Sequence, residues 1–351
     1  MTLGLFEKRI EGDDALMELA RLRFQQARMG AEMHAATPEQ LEGVMRFRPS
    51  VVEVTTEGRP ATDLPVMVHL PRHFNLLNEE NRNRIADMAS AFAGRVYGMV
   101  MHDHPDLVSR SGEFLRAAEA MQSRLAQIRA GPILFVEYAA GLEPRMFARF
   151  FESIRKLTQI SACIDIGHVG IKRARNTYAS MHPGEDVCAL KNQPSRIPEL
   201  ISDVETAVGA ALPTVLDLVD VLGKLGRPVH FHLHDGHPLS KFSPFGVSDH
   251  LSFLMEMPLD FEYRGRRSVP LMFGRSGLHH VVKEAVQAIG RERVSFTLEI
   301  HPVSGQLPLG DASPLFNHWT DKTNAERMNQ WLAVLRDNHA ELLEGLNQSL
   351  K

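Results

Sequence analysis

Pro228-Val229-His230-Phe231-His232-Leu233-His234-Asp235 alternates imidazoles with apolar side chains. Read as a strand, it places His230, His232 and His234 on one face and Phe231 and Leu233 on the other. A strand packed on an ordinary apolar core has no use for the first of these faces. The run closes in a polar turn, Asp235-Gly236-His237-Pro238, so the pattern predicts a metal site at the strand's carboxyl end. A single buried histidine is more often a hydrogen-bonded core residue than a ligand, and three on one face can also stack as a polar ladder. Same-face residues rise about 6 to 7 Å apart, so only the last of the row reaches the mouth. His232 or His234 is therefore the expected ligand, rather than all three.

Working outward, short β-rich runs recur: Val51-Val52-Glu53-Val54, Val66-Met67-Val68-His69, 96–102 ending in His102, 133–137 ending in Glu137, 161–165 ending in Asp165, and 295–299 ending in Glu299. Met29 to Met33 is taken as the first strand, after which Thr37 caps a helix with Pro38 at its first position. Helical spacing fills most of the gaps, over 81–92, 112–129, 144–158, 198–225 and 278–289. Alternating β and α over this length predicts a parallel sheet. An open sheet concentrates function at one switch point, and no glycine-rich nucleotide fingerprint follows the first strand. Nearly every run instead ends in His, Asp or Glu, as in a (β/α)8 TIM barrel, an α/β fold whose strand ends share one mouth. The link 55–65 is too short for a full helix, so one barrel helix is expected to be missing or reduced.

The chain divides on this reading into an N-terminal capping helix (1–28), a TIM-barrel catalytic domain (29–305), and a C-terminal loop and helix (306–351) packed through Met328, Trp331, Leu332 and Leu335. Polar insertions at 172–197 and 238–269 are expected to shape access to the mouth. Gly274-Arg275-Ser276-Gly277 precedes a helix and reads first as a turn, second as amides for a phosphate.

The chain has 351 residues, a formal net charge of −4 and two cysteines, Cys163 and Cys188. There is no basic excess for tight nucleic-acid binding, although a local basic patch is compatible with a near-neutral total. Two cysteines rule out a disulfide scaffold and fit a reducing compartment, so a cytoplasmic location is expected. The start lacks the order of a secretory signal, and no stretch reads as long and apolar enough to cross a bilayer.

The strand ends offer His69, His102, His104, Glu137, Asp165, His168, His232, Asp249, His250 and Glu299 as metal ligands. Imidazoles mixed with carboxylates suit Zn, Mn, Fe or Co, whereas Mg alone takes oxygen. One to three ions are expected, since these donors outnumber the needs of one. Two or three ions would hold an activated water between them.

These residues resemble the xylose-isomerase-like TIM barrels, a superfamily that includes endonuclease IV and many sugar isomerases and epimerases. The resemblance spans roughly 31–302 and is concentrated at strand ends. Leu134-Phe135-Val136-Glu137-Tyr138-Ala139-Ala140-Gly141 is similar to the strand with the bridging glutamate. Cys163-Ile164-Asp165-Ile166-Gly167-His168 is similar to the Asp-x-x-His motif, His232-Leu233-His234-Asp235 to His-x-Asn-Asp, and Thr297-Leu298-Glu299 to the last-strand glutamate. Val68-His69-Leu70-Pro71 with Asn75, a histidine after the next strand (His102 or His104), His168 and Asp249-His250 resemble the additional ligands of the three-metal endonuclease IV. That enzyme has a spaced Asp-x-His, whereas Asp249 and His250 are adjacent and diverge if extended. Arg72-His73-Phe74 stands where the DNA enzyme carries an aromatic wedge, and the mouth loops show no Lys/Arg cluster with aromatics.

The resemblance implies, first, a metal-dependent isomerase or epimerase acting on a small sugar-like hydroxy-carbonyl substrate. Glu137 and Glu299 would bind metal and act as the acid/base pair, Asp165 and His232 would complete the core, and His168 would orient the substrate or hold a second ion. The alternatives are a multi-metal phosphodiesterase acting on abasic DNA, with nucleic acid as partner, and a di-iron or dimanganese oxidative enzyme. A ligand-binding barrel without turnover ranks lower, because so many donors held close are costly without a cation. No membrane partner is expected, and the terminal helices offer an interface for a homo-oligomer.

Overall fold

Each central strand alternates between two buried environments, so its sequence reads as an apolar run with polar residues at one parity. The computed structural model describes residues 4–8, 14–51, 62–240, 242–243, 246–247, 249–255, 257–258, 268–269, 271–300 and 325–349. Eight strands form a closed barrel: β1 (Gly4–Lys8), β2 (Gly30–His34), β3 (Val66–His69), β4 (Gly98–His102), β5 (Ile133–Glu137), β6 (Ile160–Asp165), β7 (Val229–Leu233) and β8 (Val294–Leu298). Neighbours are parallel and follow chain order, and β1 closes the ring against β8 with Gly4 opposite Ser295. This is the α/β TIM-barrel architecture expected from the strand-end pattern.

The helices among the described residues are α1 (Asp14–Gln26), α2 (Pro38–Met45), α3 (Glu79–Ala91), α4 (Ser111–Leu125), α5 (Pro144–Ser153), α6 (Ile166–Met181), α7 (Ile197–Gly209), α8 (Ala211–Gly223), α9 (Gly274–Ile289) and α10 (Ala325–Gln348). Their starts follow local chemistry. Thr37 accepts from Gln40 N–H ahead of Pro38, and Asn78 caps α3 in the same way.

Several expectations need correcting. The barrel begins before α1, at β1, so 1–28 contributes a wall strand besides its helix and Gly30–His34 is the second strand. Val51 is not in the barrel: Ser50–Val51 pairs antiparallel with Thr62–Asp63 as a separate ribbon. Val52, Glu53 and Val54 lie outside the described residues, as does the boundary near 305. Of the 55–65 link, Thr62–Asp63 lies in this ribbon and 55–61 lie outside the described residues, as does the reduced barrel helix expected there. The start of the polar insertion 172–197 is helical, because Asp165 caps α6 by accepting His168 N–H at 2.8 Å.

The expectation that no stretch suits a bilayer also changes, since Ile197–Gly223 passes on length and composition. It divides at Ala210 into α7 and α8, whose buried faces include Val204, Val208, Val215 and Val219, and these pack on neighbouring helices.

Outside the barrel wall, the helices and the outward strand residues share one large core. At the lower end Arg227, 5 % exposed, donates to the carbonyls of Phe151, Ile154, Leu157 and Ile160 at 2.7 to 3.2 Å. At the carboxyl-terminal side, Trp331 of α10 donates its indole N–H to Ile300 O at 2.9 Å. Inside the barrel Met67, Val100, Phe135 and Cys163 form a small apolar layer. Gly98 makes room for it, because a Cβ there would sit 2.6 Å from the Phe135 ring. The remaining interior is polar, and that polarity leads to the mouth.

Candidate metal centre

Parity and register bring the strand ends together. His102 is opposite Glu137, and His232 is opposite both Asp165 and Thr297, and across the stagger of the barrel these strand ends bring their ligand atoms together. Glu137 is 1 % exposed, and three imidazoles surround one of its oxygens. His69 Nε2 lies 3.2 Å from Oε2, His232 Nδ1 3.4 Å and His102 Nε2 3.6 Å. His232 Nδ1 is also 2.6 Å from Glu299 Oε2. His234 Nε2 lies 2.9 Å from Asp165 Oδ1, and its ring stacks on His250 with centroids 3.9 Å apart.

Among the described residues, three sets of ligand atoms near the mouth are close enough to hold a cation: His69, His102 and Glu137; Glu137, Asp165, His232 and Glu299; and His168, His234 and His250. Glu137 belongs to two of them, which makes it the geometric hinge of the centre. Two further sets, Glu32 with His69 and His232, and Cys163 with His230 and His232, reach below the mouth.

The tautomers test whether these residues fit a metal. Carbonyl oxygens only accept, so an imidazole nitrogen against one must carry the proton. His69 Nδ1 faces Leu70 O at 2.9 Å, His168 Nδ1 faces Tyr138 O at 3.1 Å, His234 Nδ1 faces Asp235 O at 2.9 Å, and His250 Nδ1 faces Glu299 O at 3.1 Å. In the neutral ring each Nε2 then carries a lone pair. For His69 and His234 that lone pair is directed at a carboxylate. Acceptor facing acceptor is resolved only by a proton or a cation between them, and backbone-anchored imidazoles are how proteins orient metal ligands. The donor set therefore fits divalent metal.

Electrostatics agrees with that demand. Burial alone would raise the Glu137 carboxyl, but the imidazoles of His102 and His232 and the hydrogen bonds of His232 and His69 hold it well below the usual range. Burial lowers His232, yet the carboxylates of Glu32, Glu299 and Glu137 raise it well above an ordinary imidazole. His234 is raised in the same manner, chiefly by Asp165 against its burial. These anions and imidazoles hold protons between them where a divalent ion would otherwise sit.

Of the residues expected from sequence, His69, His102, Glu137, Asp165, His168, His232, His250 and Glu299 converge. His104 does not: its Nδ1 accepts from Asp106 N–H at 3.1 Å, capping the turn Pro105–Leu107, and its side chain is 36 % exposed. Asp249 is buried but stands outside all these donor sets. His230 stays inside the barrel, with Nδ1 2.8 Å from Ser295 Oγ.

Sequence reasoning missed two residues, Glu32 and Asp103, and undercounted at His234. His234 joins the mouth together with His232, where only one of the two was expected. Glu32 of β2, fully buried, lies 3.1 Å from His232 Nε2, and its signal was a lone carboxylate inside an apolar strand. Asp103 accepts from the amides of Ala139 and Ala140, and burial pushes its carboxyl up to about 7 against those two bonds. Of the amides in 274–277, Gly274 N–H donates to Asp235 at 2.6 Å and Gly277 N–H to Phe273 O at 3.0 Å, so two of the four are engaged within the fold.

No family model and no curated protein matches the sequence. Among solved structures, one described as AsfvAP:AG aligns over 98% of both chains at 15% identity with a TM-score of 0.45. A xylose isomerase-like TIM barrel protein from Mycobacterium smegmatis in complex with magnesium aligns over 93% of this chain and 90% of that one, at 13% identity and a TM-score of 0.39. A GH10 endoxylanase from a sugarcane soil metagenome covers 85% and 84%, at 11% identity and a TM-score of 0.42. Similarity at this level says nothing about the reaction; the fold assignment rests on the closed ring of parallel strands.

Proposed function

We propose that the protein is a metal-dependent hydrolase of phosphate esters with a multinuclear centre, related to the endonuclease IV branch of the xylose-isomerase-like barrels. The observation that carries this is the crowding of His69, His102 and His232 around one oxygen of Glu137. A carboxylate so surrounded suits a ligand shared between ions and is poorly placed to take a proton from substrate, which the isomerase reading asks of it besides binding metal.

Charge favours the same substrate class. Three divalent ions would exceed the four carboxylates of Glu32, Glu137, Asp165 and Glu299 by about two charges, a surplus matched to a phosphoryl group. When bound, the ions would polarise the phosphoryl oxygens and lower the pKa of an attacking water. His69, His102 and Glu137 would hold one ion; Glu137, Asp165, His232 and Glu299 the second; His168, His234 and His250 the third. Phe74 is 1 % exposed and packed in the core, so it offers no wedge for a duplex, and the favoured substrate is a small phosphate ester. Both cysteines are buried and free, which supports the expected reducing, cytoplasmic compartment.

The second reading is the single-metal isomerase or epimerase, supported by the four-donor set of Glu137, Asp165, His232 and Glu299. Hydrolysis of a chromogenic phosphodiester by Zn-, Mn- or Fe-loaded protein, alongside a panel of hydroxy-carbonyl sugars, separates the two. Ester cleavage lost in both His69→Ala and His250→Ala is expected. Sugar interconversion that survives both substitutions, with no ester cleavage, would replace this proposal with the isomerase.

A further inference from the structure

The barrel interior beneath the mouth is polar where this architecture normally stacks branched apolar side chains. Glu32, at the centre of β2, is fully buried there and divides its two oxygens. Oε1 accepts from His232 Nε2 at 3.1 Å, while Oε2 accepts the Thr297 hydroxyl at 2.5 Å and faces His230 Nε2 at 3.4 Å. His230 Nε2 is also 3.1 Å from Thr297 Oγ1, and its Nδ1 meets Ser295 Oγ. Residues from β2, β7 and β8 thus form one network a layer below the donor sets.

We propose that Glu32 is a positioning residue which keeps the proton of His232 on Nε2 and so aims its Nδ1 lone pair at Glu137, Asp165 and Glu299. The inference rests on the metal-centre reading above. A carboxylate that is ionised only accepts, so its partner nitrogen is the protonated one. Nδ1 is then the atom left to ligate, and its 2.6 Å approach to Glu299 Oε2 brings two acceptors together as a shared cation would.

His232 differs here from His69, His168, His234 and His250, which all rest Nδ1 on a backbone carbonyl. Its Nε2 points into the barrel, where the strand carbonyls are engaged in the parallel ladder. Only a side chain can anchor it, and Glu32 is that side chain. Thr297 and His230 in turn fix the carboxylate, so its position does not depend on the mouth. The deeper set of Glu32, His69 and His232 is better explained by this network than by another cation, because His232 Nε2 cannot both donate to Glu32 and bind a metal ion.

The test is Co²⁺ titration of the metal-free full chain and of Glu32→Gln and Glu32→Asp, followed by visible absorption and by melting temperature with and without Co²⁺. Changes to such outer partners weaken metal binding by about 10- to 100-fold. In Glu32→Gln we expect that loss at one group of sites, altered visible bands and a smaller rise in melting temperature on loading. Glutamine keeps the shape and one acceptor oxygen, so the metal-free variant is expected to fold, and the readout that decides is Co²⁺ affinity. Glu32→Asp, which keeps the charge one methylene further back, should fall between them.

A role confined to packing would lower the metal-free melting temperature and leave Co²⁺ affinity and bands unchanged, and that result overturns the proposal. If Glu32→Gln does not fold, unchanged affinity in Glu32→Asp overturns it equally. Wild-type protein that takes up no Co²⁺ would instead sink the metal-centre reading, and this inference with it.

Discussion

His234 sits between two acceptors: its Nδ1 lies 2.9 Å from Asp235 O, and its Nε2 lies 2.9 and 3.2 Å from the two oxygens of Asp165. A neutral imidazole has one N–H to give, so the contact with Asp165 calls for a second proton or a cation. Parallel stacking on His250 at 3.9 Å adds a cost to charging both rings, which favours the cation.

Displacing His234 is therefore expected to remove about one metal equivalent. His234→Asn does so by losing the donor. Gly167→Ala does so by sterics alone, because a Cβ at Gly167 would sit 2.0 Å from His234 Cε1, and alanine otherwise favours a helix. Elemental analysis of both variants checks this; full metal content in Gly167→Ala would remove His234 from the centre.

His102 and His104 should behave differently. His102→Ala takes a ring from beside Glu137 and should release bound metal, whereas His104→Ala loses only a turn cap worth about 1 kcal/mol. Competition with a chromogenic chelator reads the first effect and thermal melting the second. Equal metal loss in both variants would contradict the assignment.

Arg227 should matter for stability and not for metal. Its guanidinium joins four carbonyls at the end of α5 and the foot of β6, and lysine cannot span them. Arg227→Lys is expected to lower unfolding free energy by about 2 to 4 kcal/mol, measured by urea denaturation with metal content unchanged. A loss near zero would show that the carbonyls find other partners.

His339 of α10 gives an acid-sensitive term. It is 4 % exposed, and burial pushes its imidazole down to about 4. The folded protein therefore favours the neutral ring, so stability is intact above about pH 6.5 and falls as pH drops toward 4. At pH 5 the cost is about 2 kcal/mol. His339→Leu should gain by that amount, relative to wild type, between pH 7 and pH 5 in paired denaturation curves. Parallel pH dependence in the two proteins would refute it.

The fold was legible because period-two runs ended in His, Asp or Glu with helical spacing between them. β1 was not, since five residues ahead of a helix carry little periodicity, and the Val51 run offered a false eighth strand. At the site, rise along a strand forced a choice between His232 and His234. The chain leaves β7 at Leu233 and turns at the Asp235–Leu251 bridge, which carries His234 sideways to Asp165 and His250. Glu32 was hidden because its partners His230 and His232 lie about two hundred positions away. Between His102 and His104 only register decides, and register is a property of the sheet.

Metal content per chain, by elemental analysis of wild type and Glu137→Gln purified without added metal, bears most directly on the shared-carboxylate centre. We expect about two to three equivalents in wild type and a loss of more than one in the variant, because Glu137 serves two donor sets. At most one equivalent in wild type, or full content in Glu137→Gln, would contradict a multinuclear centre built on that residue.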